Sequence, residues 1–306
     1  MTPLAQKLKS QIALSGPIPF SEYMAACLFD PEWGYYTNLK AIGRKGDFIT
    51  APECGPYLAQ AIANFIKDKL QKLSNPVILE LGGGTGQLAF DLLSALDMPV
   101  RYLILDKSPS LKALQQEKLK DFQVEWCEQI EIQGLEGVIL ANEFFDALPV
   151  ERFVKTAAGA VLTHVDYQNA EFIETGDGER FEKCLILKEV LQPILGVFKR
   201  GMALVIDYGA EQVMRSTLTA YHQHKIVSVF DRPGECDITA HVDFTDLAEA
   251  FLAQHWQVEF LKPQNQFLLE QDILPKAGIG PEDYALKRLL DPRLMGELFK
   301  VLCVNK

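Results

Sequence analysis

Residues able to do chemistry cluster at two places in this chain. The first is Glu80-Leu81-Gly82-Gly83-Gly84-Thr85-Gly86, an acidic side chain and four glycines in five positions at the end of the apolar run Val77–Leu81. Glycines there let a ligand approach the backbone at the carboxyl edge of a sheet, and four of them cost chain entropy that a ligand requirement would explain. The second is Asn142-Glu143-Phe144-Phe145-Asp146, which directly follows the apolar run 137–141. Two carboxylates, an amide and two aromatics so close together suit a cationic acceptor. A guanidinium, with a pKa above about 12, is a poor nucleophile that Glu143 and Asp146 could grip bidentately and polarise. Either carboxylate could instead only cap the turn. His241 is a candidate general base, although a lone histidine is more often structural.

The glycine run can be parsed in two ways. From Gly84 it fits the dinucleotide form G-x-G-x-x-A through Gly84, Gly86 and Ala89, with Asp106 twenty residues after Gly86 for a ribose hydroxyl. From Glu80 it reads Glu-x-Gly-x-Gly-x-Gly, which resembles motif I of the class I S-adenosylmethionine methyltransferases. Glu80 discriminates: dinucleotide enzymes place an apolar side chain before the first glycine, whereas a carboxylate suits a ligand carrying an ammonium and a sulfonium. In either parse Asp106, at the end of a second strand, can accept both ribose hydroxyls. Its alternative, a helix cap, competes with Ser108. Glu128, beyond the third strand, is a candidate acceptor for an adenine amino group or simply a solvated loop residue.

The elements that position these residues alternate from residue 76 as βαβ units, with apolar strands at Val77–Leu81, 101–106, 123–126, 137–141 and 202–207 and two later runs at 257–261 and 299–304. Gln87–Leu96, 108–119 and 244–253 read as helices. The pattern is a doubly wound parallel sheet. Residues 1–75 differ, dense in aromatics, Gly and Pro before a helix with Leu58, Ala61, Ile62, Phe65, Ile66, Leu70 and Leu73 on one face. A second departure, 150–186, carries alternating Val161, Thr163 and Val165 and a Gly176-Asp177-Gly178 turn, which suggests a β-hairpin inserted after the fourth strand.

The 306 residues are 48% hydrophobic and 23% charged, an ordinary globular composition, and the net charge of −11 opposes any role with polyanions. Residues 1–75 hold eight Lys plus Arg and six Asp plus Glu, so the remainder carries −13. No apolar run approaches the ~20 residues of a membrane span, and no signal or transit segment opens the chain, so the expectation is a cytoplasmic protein without nucleic-acid or membrane partners. Six cysteines no closer than 27 positions apart and a lone His222-x-His224 pair predict no metal.

With these residues assembled, the sequence resembles the MidA family, class I methyltransferases that include a mitochondrial complex I assembly factor acting on an arginine. The carrying segments are Phe20-Ser21-Glu22-Tyr23-Met24, Asp30-Pro31-Glu32-Trp33-Gly34-Tyr35-Tyr36, Gly46-Asp47-Phe48-Ile49-Thr50-Ala51-Pro52-Glu53, Glu80-Leu81-Gly82, residues 142–149, Ile206-Asp207-Tyr208-Gly209 and Asp237-Ile238-Thr239-Ala240-His241-Val242-Asp243-Phe244. The resemblance implies an α/β, Rossmann-like class I methyltransferase fold that binds S-adenosylmethionine. Residues 1–75 would form a cap over the donor, with Asp47, Phe48 and Thr50 contributing to its pocket, and 76–306 the catalytic domain. It implies methyl transfer to an arginine of a protein, a respiratory-complex subunit by analogy with the mitochondrial branch. The donor set would be Glu80, Gly82, Gly84, Gly86, Asp106 and Glu128, and the acceptor set Asn142, Glu143, Asp146 and His241. The family pattern carries Pro and Arg where this chain has Gly83 and Thr85, which leaves one fewer cation near the donor carboxylate. An NAD-dependent oxidoreductase and a non-catalytic assembly factor are the competing readings, and pattern alone does not decide between a monomer and a homodimer.

Overall fold

The computed structural model describes residues 1–37, 52, 55–274 and 283–306, and its chain contacts divide into two compact units. The larger comprises residues 49–145, 188–210 and 244–306. Its strands are β1 (Val77–Leu81), β2 (Arg101–Leu105), β3 (Val124–Cys127), β4 (Leu135–Asn142), β5 (Phe198–Ala210), β6 (Gln257–Pro263) and β7 (Phe299–Asn305). They lie in the order β6-β7-β5-β4-β1-β2-β3. All neighbours among β1 to β5 pair in parallel, and β7 runs antiparallel between β5 and β6. The strand order reverses between β1 and β4, which puts the carboxyl ends of these two strands at the switch point where open α/β sheets bind ligands.

Apolar alternation builds the core. Ile78, Tyr102, Ile104, Val138, Leu140, Leu204 and Ile206 share one face, against the apolar stripes of α1 (Tyr57–Leu70) and α2 (Gln87–Leu96). Each such side chain, fully buried, stabilises the fold by roughly 1.5–3 kcal/mol. Gly137 brings β4 against β1: a Cβ there would lie 1.9 Å from the Val77 carbonyl oxygen. The following helix, α3 (Pro109–Lys118), starts on Ser108, whose Oγ accepts from Leu111 N at 3.2 Å.

The smaller unit gathers residues 1–48, 146–187 and 211–243. Helices Pro3–Ser15 and Phe20–Phe29 pack Leu4, Leu8, Phe20, Tyr23 and Met24 against Val165, Ala220 and Ile238. The expected single hairpin is larger. Glu151–Thr156 is flanked by Gly159–Leu162 and Arg180–Lys183 in one antiparallel sheet, and His164–Gln168 by Ile18–Pro19 and Glu171–Glu174 in another. The extra reversal falls at Asn169-Ala170, both at positive φ, where no glycine marks it. Thr219–His222 centres a third sheet, with Lys225–Val227 and Asp237–Thr239, that periodicity does not announce.

The expected division after residue 75 differs from this partition because α1 buries Leu58, Ile62, Ile66 and Leu70 in the larger unit's core. Among the described residues, no helix is long and apolar enough to cross a membrane, and no group of His, Cys, Asp and Glu is arranged to hold a metal ion.

Candidate functional site

Glu80, the last residue but one of β1, has only 2% of its surface exposed, and its Oε2 accepts from Tyr102 Oη at 3.0 Å. Loss of water pushes its carboxyl up to about 8; the Tyr102 hydroxyl pulls the other way and the Asp106 charge adds to the rise. The chain then turns through Gly82, Gly84 and Gly86, all left-handed at φ +66°, +50° and +78°. Internal packing accounts for most of this run. A Cβ at Gly82 would lie 2.9 Å from the Phe144 ring, one at Gly83 2.8 Å from Ile104 Cγ2, and one at Gly86 3.3 Å from Gln115 Cα. At Gly84 a Cβ would meet nothing within 4 Å, so open space fronts the loop there.

Asp106 follows β2. Its Oδ1 accepts from Ser108 N at 2.9 Å and its Oδ2 from Gln115 Nε2 at 2.8 Å, and its own N–H donates to the Cys127 carbonyl at 3.1 Å. Burial raises its pKa, opposed by the Ser108 and Gln115 hydrogen bonds. Backbone hydrogen bonds from Gly83 and Lys107 also lower it, so the carboxylate is held by four donors in all. Glu128 lies exposed in the bend beyond β3. Asp47, Phe48 and Thr50 lie outside the described residues.

The acidic turn at the end of β4 is held from β5. Glu143 sits at φ +50° and its N–H donates to the Ile206 carbonyl at 2.9 Å. Asp207 is fully buried, its Oδ2 accepting from Phe144 N at 3.2 Å and Phe145 N at 2.9 Å and its Oδ1 from Tyr208 N at 2.9 Å. Asn142 Nδ2 donates to Glu143 Oε1 at 3.1 Å, while Asn142 Oδ1 is a buried acceptor with no partner. Phe144, through its ring against Gly82, joins this turn to the glycine loop. Glu80, the three glycines, Asp106, Asn142 and Glu143 therefore all belong to the carboxyl edge of one sheet.

Asp146 and His241 belong to the smaller unit. The Asp146 carbonyl accepts from Ala240 N at 3.1 Å, which puts the two backbones side by side, and the His241 N–H donates to Thr217 Oγ1 at 3.0 Å. Burial lowers the His241 pKa, the Arg215 charge lowers it further, and Glu182 opposes them. Its imidazole is therefore biased toward the neutral form that can take a proton.

Two residues absent from the expected site hold it together. Asp207 is legible as a carboxylate ending an apolar strand. Gln115 is legible only as a polar residue four positions after Leu111, on the face that α3 buries. In chemical terms the edge offers a glycine loop beside two carboxylates, followed by an amide whose oxygen is buried without a partner and by a third carboxylate. Such a set binds hydroxyls and cationic N–H groups rather than phosphates.

Comparison with known proteins supplies relatives. A family model described as "Putative S-adenosyl-L-methionine-dependent methyltransferase" matches residues 57–177 and 163–261. The mitochondrial protein arginine methyltransferase NDUFAF7 homolog of Drosophila melanogaster is 29% identical, over 98% of this chain and 84% of that protein. Human mitochondrial protein arginine methyltransferase NDUFAF7 is 28% identical, over 98% and 82%. A crystal structure from Burkholderia thailandensis bound to S-adenosyl-homocysteine is 30% identical with a TM-score of 0.90, covering 99% of this chain and 92% of that one. A native crystal structure from the same organism gives 0.87 at 30% identity, over 99% and 91%.

Proposed function

We propose, for a chain that belongs to the MidA family of S-adenosyl-L-methionine-dependent methyltransferases, that its methyl acceptor is an arginine side chain of a protein. The donor is S-adenosyl-L-methionine. The dinucleotide parse of the glycine loop gives way to the one that begins at Glu80. The open space at Gly84 and the two carboxylates Glu80 and Asp106 fit a donor with an ammonium, a sulfonium and a ribose but no pyrophosphate. In this reading Glu80 faces the donor's cationic end, Gly82, Gly84 and Gly86 admit it to the backbone, and Asp106 takes the ribose. Glu128 is the candidate acceptor for the adenine amino group. When bound, the donor supplies a methyl carbon activated by a sulfonium. What remains for the protein is to align the nucleophile, exclude water and dispose of one proton.

The observation that carries the arginine reading is the buried, unpartnered Asn142 Oδ1 beside the Glu143 carboxylate that Asn142 Nδ2 holds. An orphaned buried acceptor costs about 1–3 kcal/mol unless a donor arrives. A guanidinium brings five N–H donors in a planar fork, enough to satisfy this oxygen and the carboxylate together. Asp146, as a second carboxylate, and His241, as a proton acceptor, are the further candidates that the sequence offers for this chemistry. The mitochondrial relatives, named as protein arginine methyltransferases at 28–29% identity, support the same acceptor class.

The test is mass spectrometry of methylated arginine in cells lacking the gene, complemented with wild type or Glu143→Gln. The expected result is a protein methyl-arginine that disappears with the gene and returns with wild type only. Methyl found instead on another residue type would overturn the arginine assignment, and methyl on no protein would overturn the protein acceptor.

A further inference from the structure

The larger unit contains a buried polar residue that the donor reading does not use. Helix α3 buries only Leu111 and Gln115 along its length, and the second is an amide with no exposed surface. Its Nε2 donates to the Gly84 carbonyl at 2.9 Å and to Asp106 Oδ2 at 2.8 Å, and its Oε1 accepts from Trp126 Nε1 at 2.9 Å. Both amide hydrogens are thereby spent, one on the glycine loop and one on the carboxylate after β2, while the oxygen ties in β3. The loop also lies directly on it: a Cβ at Gly83 would approach Nε2 to 2.9 Å.

We infer that Gln115 is a positioning residue of the donor site, whose amide locks the Gly84 carbonyl, the Asp106 carboxylate and the Trp126 indole in register and so aims Asp106 at the donor's ribose hydroxyls. The inference rests on the reading of Asp106 as the ribose acceptor. The geometry supports a locked rotamer, because Ser108 N holds one Asp106 oxygen and Gln115 the other, and backbone hydrogen bonds from Gly83 and Lys107 add to the hold. An apolar side chain of the same length would strand three partners at once: a carbonyl, a carboxylate oxygen and an indole N–H. The carboxylate would then lose the side-chain tie on Oδ2, and ribose recognition would weaken selectively. A residue that merely filled the core would instead weaken every ligand alike when replaced.

The experiment titrates the full chain by calorimetry with S-adenosyl-homocysteine and with its 2′-deoxy analogue. Wild type is expected to prefer the natural ligand by roughly tenfold, the scale of one hydrogen bond to a charged group. Gln115→Met, near-isosteric, is expected to lose about tenfold in affinity for the natural ligand and much less for the deoxy analogue, so that the preference collapses. Equal weakening of both ligands, or wild-type binding of both, would overturn the positioning role. Asp106→Asn tests the underlying reading separately: if it keeps the full preference, the ribose assignment fails whatever Gln115 does. Trp126→Phe leaves Gln115 in place and frees only its oxygen, so it reports even if Gln115→Met does not fold. A two- to threefold loss of preference is expected, and an unchanged preference would count against the network.

Discussion

Glu80 is a buried acid held neutral at pH 7 by loss of water, with a pKa pushed up to about 8 against an ordinary value of 4.5. The folded state therefore keeps a proton that the unfolded chain has already released between those two values. Stability must fall as pH rises through that window, by on the order of 1 kcal/mol per pH unit. Glu80→Gln, which mimics the protonated acid toward Tyr102, is expected to flatten the Tm profile between about pH 5 and 8 in scanning calorimetry; an unchanged slope would assign the dependence elsewhere. A cationic ligand favours the ionised form, so the affinity for S-adenosyl-L-methionine should rise with pH toward about 8 in wild type and lose that dependence in Glu80→Gln. Asp207 presents the opposite case, a buried carboxylate paid for by three backbone N–H groups of the turn and its own strand. Asp207→Ala strands all three, and a loss of roughly 3 kcal/mol is expected in the unfolding free energy from urea titration.

At the scale of elements, the glycine loop separates into positions required by packing and one that is not. Gly83→Ala forces a Cβ to 2.8 Å from Ile104 Cγ2 and 2.9 Å from Gln115 Nε2 and should lower Tm markedly. Gly84→Ala meets open space, so only the left-handed backbone penalty of about 1–2 kcal/mol applies. In this reading its larger effect is on donor affinity, measured by the same titration. The ends of α2 and β1 were legible because Gly86 and the apolar run bound them locally. The strand expected over 202–207 runs instead from Phe198 to Ala210. Its flanks are ordered by partners, Leu135 opposite Phe198 and Phe299 opposite Tyr208, that no local pattern announces.

For the whole molecule, the net charge of −11 sets the sign of long-range steering. A basic acceptor should therefore be captured more slowly as salt screens the field. Its association rate is expected to fall several-fold from low salt to about 0.5 M NaCl, where the Debye length is only a few ångströms. A salt-independent rate, measured by stopped flow with the acceptor identified by mass spectrometry, would remove steering from the account.

The glycine loop, the parallel strands and the acidic turn could all be read from the chain, because each is written by neighbours within about ten positions: an apolar run, a glycine, a carboxylate. Gln115 and Asp207 as organisers, the pairing of Ile18 with Val165, and the three-segment smaller unit could not. Each depends on a partner tens to more than a hundred residues away, and hydrophobic periodicity carries no information about such partners. Tertiary structure alone decides which buried polar atoms find one another. It also decides that Asn142 Oδ1, among them, is buried without a partner.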